Sequence, residues 1–170
     1  MVFCEHGRIC RMKLLLIRHA AAVEPEAFHG SDLERPLTAE GKKKARRVFK
    51  VLSALYPELE VVLTSCARRA VETGEILTQC AGNVKRLQSE RLNSGCTIKD
   101  LARALADLPE QPGCAAVVGH EPDLSRILAH LVGAGTLRVE FKKATCAEVE
   151  INQLLKGELK ALLPPAALLV

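Results

Sequence analysis

The chain has 170 residues, 48% of them hydrophobic, with 24 Lys and Arg set against 20 Asp and Glu. That is enough apolar material for one packed domain and excludes intrinsic disorder. No apolar run approaches the roughly 18 to 20 residues a membrane span needs, and 3% aromatics without Trp leave few stacking platforms for single-stranded nucleic acid.

Residues 1–11 carry no periodic pattern and do not read as a secretory signal. They are read as an N-terminal tail, or Met12 as the natural start, so a chain beginning at Met12 is expected to fold. Cys4, His6 and Cys10 lie there, but a fourth ligand and a usual zinc spacing are missing, so no metal is expected. The seven cysteines are scattered and lack a C-x-x-C pair, which suits a reducing compartment and predicts a cytoplasmic protein.

Residues 13–18, "KLLLIR", read as a short buried strand. Residues 19–37 form a loop punctuated by Pro25, Gly30 and Pro36. Thr38 is placed to cap a helix to about Leu55, which Pro57 ends. Ala45, Val48, Phe49 and Leu52 make its inward stripe. Lys42, Lys43, Lys44, Arg46, Arg47 and Lys50 make a solvated face, with attraction of an anionic partner as the weaker reading. A second buried strand spans 59–65, and Ser65 is expected to cap a helix over 66–80 that Gly82 and Asn83 close.

A short strand follows at 84–88, then a helix from Thr97 with a T-x-x-D start. Residues 114–119, "CAAVVG", are a third buried strand, and Pro122 suits the first turn of a helix through about Val132. Residues 145–151 alternate as a half-exposed strand, with 158–163 as its hairpin partner across Lys156-Gly157. Pro164 and Pro165 are expected to end regular structure. The alternation predicts an α/β fold, a three-layer α/β/α sandwich with a mostly parallel central sheet and an antiparallel edge, formed by one domain over 1–170.

The chemistry gathers at strand ends. The first strand stops on Arg18-His19, the second runs into Thr64-Ser65 and a helix bearing Arg68-Arg69, and the third ends in Gly119-His120. Carboxyl ends of parallel strands share one edge, where ligands bind. Arginine grips phosphate with a planar fork, and a histidine ring nitrogen can attack phosphorus. Helices starting near Ser65 and Pro122 add backbone N–H groups. No Walker motif, GxGxxG or metal cluster appears, so these ingredients point to phosphoryl transfer through a histidine, without metal or cofactor.

Four stretches in order, "LIRHAAA", "DLERPLTAEGKKKA", "LTSCARRAVET" and "VVGHEPDLS", extend from residue 13 to about 132. Together they resemble the histidine phosphatase superfamily, with its phosphoglycerate-mutase-like fold, and within it the small SixA-type phosphohistidine phosphatases. The ending "LKALLPPAAL" resembles that branch's last strand and Pro tail. The resemblance implies that His19 is the nucleophile and that Arg18 and Arg69 hold phosphoryl oxygens. It implies too that His120 stabilises transition-state charge. Arg69 fits better than Arg68, because Ala70 and Thr73 then fall in place.

Arg35, Ser65 and Glu121 are further substrate-binding candidates, and no metal ligand is expected. This chain departs from the pattern at Ala20, which replaces a usual Gly, at Cys66 and Asn93, each standing for a common Pro, and at Glu72, which replaces Gln. Ala20 is expected to crowd the backbone beside the nucleophile.

An ester leaving as an alkoxide needs an acid, and Glu24, Glu26, Glu90 and Glu121 are the weak candidates. Imidazole, with a conjugate-acid pKa of about 6.5, leaves without one. The expected substrate is therefore a phosphohistidine protein, with a small phosphorylated molecule as the alternative and a non-catalytic phosphate-binding module as a third reading. Neither nucleic acid nor membrane is an expected partner. His29 reads as a loop residue and His130 as a packing or capping residue.

Overall fold

The structure, a computed structural model, describes residues 11–82, 84–133 and 135–169. The Cys4, His6, Cys10 set, all of the expected tail except Arg11, and Asn83 lie outside these residues. Arg11 itself donates to Glu150 at 3.3 Å.

The apolar run after Arg11 becomes β1 (Met12–Arg18), whose central residues Leu14 to Ile17 are wholly buried. Next come α1 (Ala39–Leu55), β2 (Val61–Thr64), α2 (Arg68–Ala81) and β3 (Lys85–Gln88). They are followed by α3 (Ile98–Ala106), β4 (Cys114–Gly119) and α4 (Asp123–Gly133). The chain closes with β5 (Cys146–Ile151), β6 (Gly157–Leu163) and the four-residue α5 (Pro165–Leu168). The strands form one sheet in the order β3-β2-β4-β1-β5-β6. The first four are parallel, while β5 runs antiparallel to β1 and β6 antiparallel to β5. This is the mostly parallel sheet with an antiparallel edge that the element pattern predicts.

Period-two alternation sends side chains to both faces. Leu14, Leu16, Leu63 and Val117 pack against Leu101 of α3 and Leu124, Ile127 and Leu128 of α4. Leu15, Ile17, Val62 and Val118 pack against Ala45, Val48, Phe49 and Leu52 of α1 and Ala70 and Leu77 of α2. The sheet is thus the middle layer of three, and the predicted stripe of α1 is its buried face.

Several local expectations hold in detail. Thr38 accepts from Gly41 N at 2.9 Å and caps α1. Thr97 and Asp100 close a full capping box on α3.

Others are corrected. α2 begins at Arg68 behind Ala67, not at 66 behind Ser65. The Ser65 side chain accepts from Ala67 N at 3.0 Å ahead of the helix and turns to other partners. Pro122 stands one residue before α4, where its carbonyl accepts from Arg126 N at 3.2 Å. Gly157 already pairs with Ile151, so the hairpin turn is 152–156, organised by Asn152 Oδ1 accepting from Leu154 N and Lys156 N at 2.9 and 3.0 Å. The prolines do not end regular structure, since Pro165 opens α5 from the first turn, where its missing N–H costs nothing. The 19–37 loop holds two short 3-10 turns, Pro25–Ala27 and Asp32–Glu34.

Candidate active site

Strand register brings the polar ends together. Arg18 pairs with Gly119, and Thr64 pairs with Val118. The ladder then runs one residue further on each side. His19 N donates to Gly119 O and Ser65 N to Val118 O, both at 3.1 Å. Residues 19, 65 and 120 therefore meet at the carboxyl edge of β1, β2 and β4. The rings of His19 and His120 lie with centroids 5.3 Å apart, and both are buried.

The His19 backbone is clamped from α2. Ala20 N donates to Thr73 Oγ1 at 3.0 Å, and that hydroxyl donates to Arg69 O at 2.6 Å. Ala20 does not take up a left-handed backbone, and its methyl joins the apolar cluster under α1, so the expected crowding is absorbed by packing. The ring is fixed as well. Its Nδ1 lies 2.8 Å from Ala20 O. A carbonyl only accepts, so Nδ1 carries the hydrogen and Nε2 keeps a free lone pair. Burial drives the His19 pKa down to about 3 against the Ala20 hydrogen bond, helped by His120, Arg69 and Arg18. The ring is neutral at physiological pH, as a nucleophile must be.

Two guanidiniums act on this ring. Arg18 Nη1 donates to Phe141 O at 2.6 Å. Arg69, 4% exposed, donates through Nη1 to Asp32 O at 2.7 Å and pairs through Nη2 with Asp32 Oδ2 at 3.0 Å. The Nε of each is buried without a hydrogen-bond partner among the described residues. Arg68, by contrast, faces outward and pairs with Glu72 at 3.1 Å. Glu72 also accepts from Leu37 N at 2.8 Å, tying the loop before α1 to α2.

Arg35 reaches this group at second hand. It donates to Asp32 Oδ1 at 2.9 Å and to Val23 O at 2.6 Å. Asp32 thus stands between two arginines. Burial would raise its pKa, but the Arg35 hydrogen bond and the charges of Arg69 and Arg35 hold it below the usual carboxylate range. Asp32 escaped the sequence analysis, although its i, i+3 spacing to Arg35 is a readable ion-pair signal.

Ser65 lies behind His120, with Oγ 2.8 Å from Nε2. Burial first, then Arg69, pushes the His120 pKa down to about 4. Glu121 is turned to α4, where it accepts from Ser125 N at 3.1 Å and from the Ser125 hydroxyl at 2.5 Å. Glu24 and Glu26 are exposed, and Glu24 pairs with Lys143 at 3.2 Å. Glu90 is exposed as well, but its charge helps burial raise the Cys66 thiol pKa at the approach to α2. His29 and His130 are exposed and stand outside the group. Among the described residues no three His, Cys, Asp or Glu are placed to hold a metal ion.

The arrangement offers the lone pair of His19 Nε2, two guanidiniums and a second imidazole around one small volume. That combination can hold a tetrahedral oxyanion and attack its centre. Residues 14–94 match the model of the histidine phosphatase superfamily, branch 1. The chain is 32% identical over 125 residues to an uncharacterized protein of Mycobacterium leprae, covering 71% of this chain and 73% of that one. Among solved structures it is similar to the protein histidine phosphatase SixA complexed with tungstate, with a TM-score of 0.81 and 24% identity over 92% of this chain and 99% of that one. It is also similar to the α-ribazole phosphatase of Shigella flexneri, with a TM-score of 0.69 and 19% identity over 91% and 97% of the two chains.

Proposed function

The chain belongs to the histidine phosphatase superfamily and is a phosphatase; on that premise we propose that it hydrolyses phosphohistidine on proteins, through a phosphoryl group carried by His19. In this scheme Nε2 of His19 attacks phosphorus in line while Arg18, Arg69 and His120 neutralise the equatorial oxygens. The substrate ring, protonated from solvent on its other nitrogen, departs as neutral imidazole, and water then hydrolyses the phosphohistidine on His19 to restore the enzyme. The side chains of this cluster supply the charge that a metal or cofactor would otherwise bring. We place the protein in the cytoplasm, the reducing compartment that its free thiols Cys66, Cys80, Cys96, Cys114 and Cys146 suit.

The observation that carries the choice of substrate is that, among the described residues, three carboxylates near the site, Asp32, Glu121 and Glu24, are each engaged elsewhere. Asp32 is held ionised by two arginines, Glu121 is committed to Ser125, and Glu24 is drawn off by Lys143. A leaving imidazole needs no such donor, whereas an alkoxide does. A cavity of about 690 Å³ opens beside Ala20 and Ala21, with Lys44, Arg138, Lys142 and Lys143 on its lining, but Arg18, His19, Arg69 and His120 do not line it.

The decisive experiment compares a phosphohistidine peptide with a phosphoserine peptide. We expect the first to be cleaved much faster, and a preference for the serine ester overturns the reading. Trapped enzyme is expected to carry its phosphate on Nε2 of His19, read by phosphorus NMR, because Nδ1 is held by Ala20 O. An ester phosphatase is the second reading, with Glu90, exposed and close enough to Cys66 to raise its thiol pKa, as the acid to test. Glu90→Gln is expected to leave phosphohistidine cleavage within about twofold; a fall of roughly 100-fold in ester cleavage would make Glu90 the acid.

A further inference from the structure

The hydrogen bonds behind His120 end on Asn93, and their direction decides which ring nitrogen is bare. Cys66 N donates to Asn93 Oδ1 at 2.9 Å, so the amide presents its oxygen, not its NH2, to this corner. The Ser65 hydroxyl has one hydrogen, and it donates to the same oxygen at 3.1 Å. Ser65 Oγ also accepts from Ala67 N. With its hydrogen committed, Oγ can only accept from His120 Nε2, 2.8 Å away, so Nε2 carries the ring hydrogen. Nδ1 is then a lone pair, and it is buried without a hydrogen-bond partner among the described residues.

We propose that Asn93 is a positioning residue that acts through Ser65 to hold His120 in the Nε2–H form, making its Nδ1 the atom that takes up a proton when an anionic phosphoryl group enters. The proposal rests on the reading of His120 as a phosphoryl ligand. A bare lone pair repels an anionic oxygen, and one proton from solvent converts it into a donor. The resulting imidazolium donates from Nδ1 to the phosphoryl oxygen and from Nε2 to Ser65, while the Ser65 hydrogen stays on Asn93. Only an N–H bond forms. Arg69, Arg35 and Arg18 oppose this protonation, Asp32 favours it, and the neutral His19 ring faces it at 5.3 Å. The free ring therefore stays neutral until a dianion tips the balance.

The device belongs to this chain's own residues. Cys66 and Asn93 both stand where the family resemblance has a common Pro. A proline at 66 would have no N–H to orient the amide, and a proline at 93 would have no amide.

The test reads the ring directly. Protein with 15N-labelled histidine, assigned through backbone connectivities, is followed by two-bond proton–nitrogen correlation at pH 6, with sulfate as a dianionic probe. We expect free His120 in the Nε2–H form and sulfate to render it doubly protonated. In Asn93→Ala the freed Ser65 hydroxyl donates to Nε2, and His120 changes to the Nδ1–H form. Asn93→Asp keeps the acceptor and keeps the Nε2–H form. Hydrolysis should fall roughly tenfold or more in the alanine variant and recover in the aspartate variant, with the acid limb of its pH profile moved upward. An Nδ1–H ring in the unaltered protein overturns the proposal without need of any variant. So does a folded Asn93→Ala protein that keeps Nε2–H. Sulfate that binds without protonating His120 overturns the proton uptake, and sulfate that does not bind even at high concentration removes the phosphoryl-site reading beneath it.

Discussion

At the scale of single residues, the proposed nucleophile depends on Thr73 as much as on its own ring. Thr73 Oγ1 is the acceptor for Ala20 N and the donor to Arg69 O, so one hydroxyl links the backbone beside His19 to the turn that carries Arg69. Thr73→Val should strand a buried N–H and cost about 1–3 kcal/mol of stability, seen in urea unfolding, together with a fall in kcat. His19→Ala should remove both turnover and phosphoenzyme, checked by phosphate release and by trapping. The two histidines and two arginines were legible because each follows a strand end or sits at fixed spacing in a motif. Asp32 carried only its i, i+3 spacing to Arg35, a faint signal in a loop without periodicity, and its tie to Arg69 could not be read from the chain. Asn93 was visible only as an odd substitution, and its meaning needed the contact with Cys66, 27 residues away in the chain.

At the scale of elements, α1 sits where it does because Gly41 lacks a side chain. A Cβ there would come within 2.0 Å of Ala21 O, the carbonyl that also accepts from Thr38 N at 3.0 Å. Gly41→Ala is therefore expected to lower stability by about 1–3 kcal/mol, read as a drop in Tm. It should slow turnover too, since Ala21 continues the segment that leaves His19. Every strand and every helix of nine residues or more was legible from apolar runs, caps and breakers. The boundaries that slipped have local causes. Ser65 looks like a cap but is engaged by His120 and Asn93, and Gly157 looks like a turn residue but lies inside the β5–β6 ladder.

At the scale of the whole molecule, the two buried imidazoles set the acid limit of the fold. Unfolded, each titrates at about 6.5. Folded, His19 titrates at about 3 and His120 at about 4. Between these values the unfolded chain binds more protons, so their contribution is fully present above pH 6.5 and is lost as pH falls toward 4 and then 3. Each histidine contributes a slope of up to about 1.4 kcal/mol per pH unit in that window. Urea unfolding at pH 7 and pH 4.5 should show a clear loss, and His120→Gln should flatten it. The layer order of the sheet was legible from βα alternation, but which loop would close over the strand ends was not.

That closing loop brings Asp32, which engages both terminal nitrogens of Arg69. Substrate entry is thus a trade of one anion for another rather than the filling of a bare cationic trap. Because part of the Coulomb attraction is already spent internally, inorganic phosphate should cling weakly. The enzyme would then be little inhibited by its own product and would turn over freely in a phosphate-rich medium.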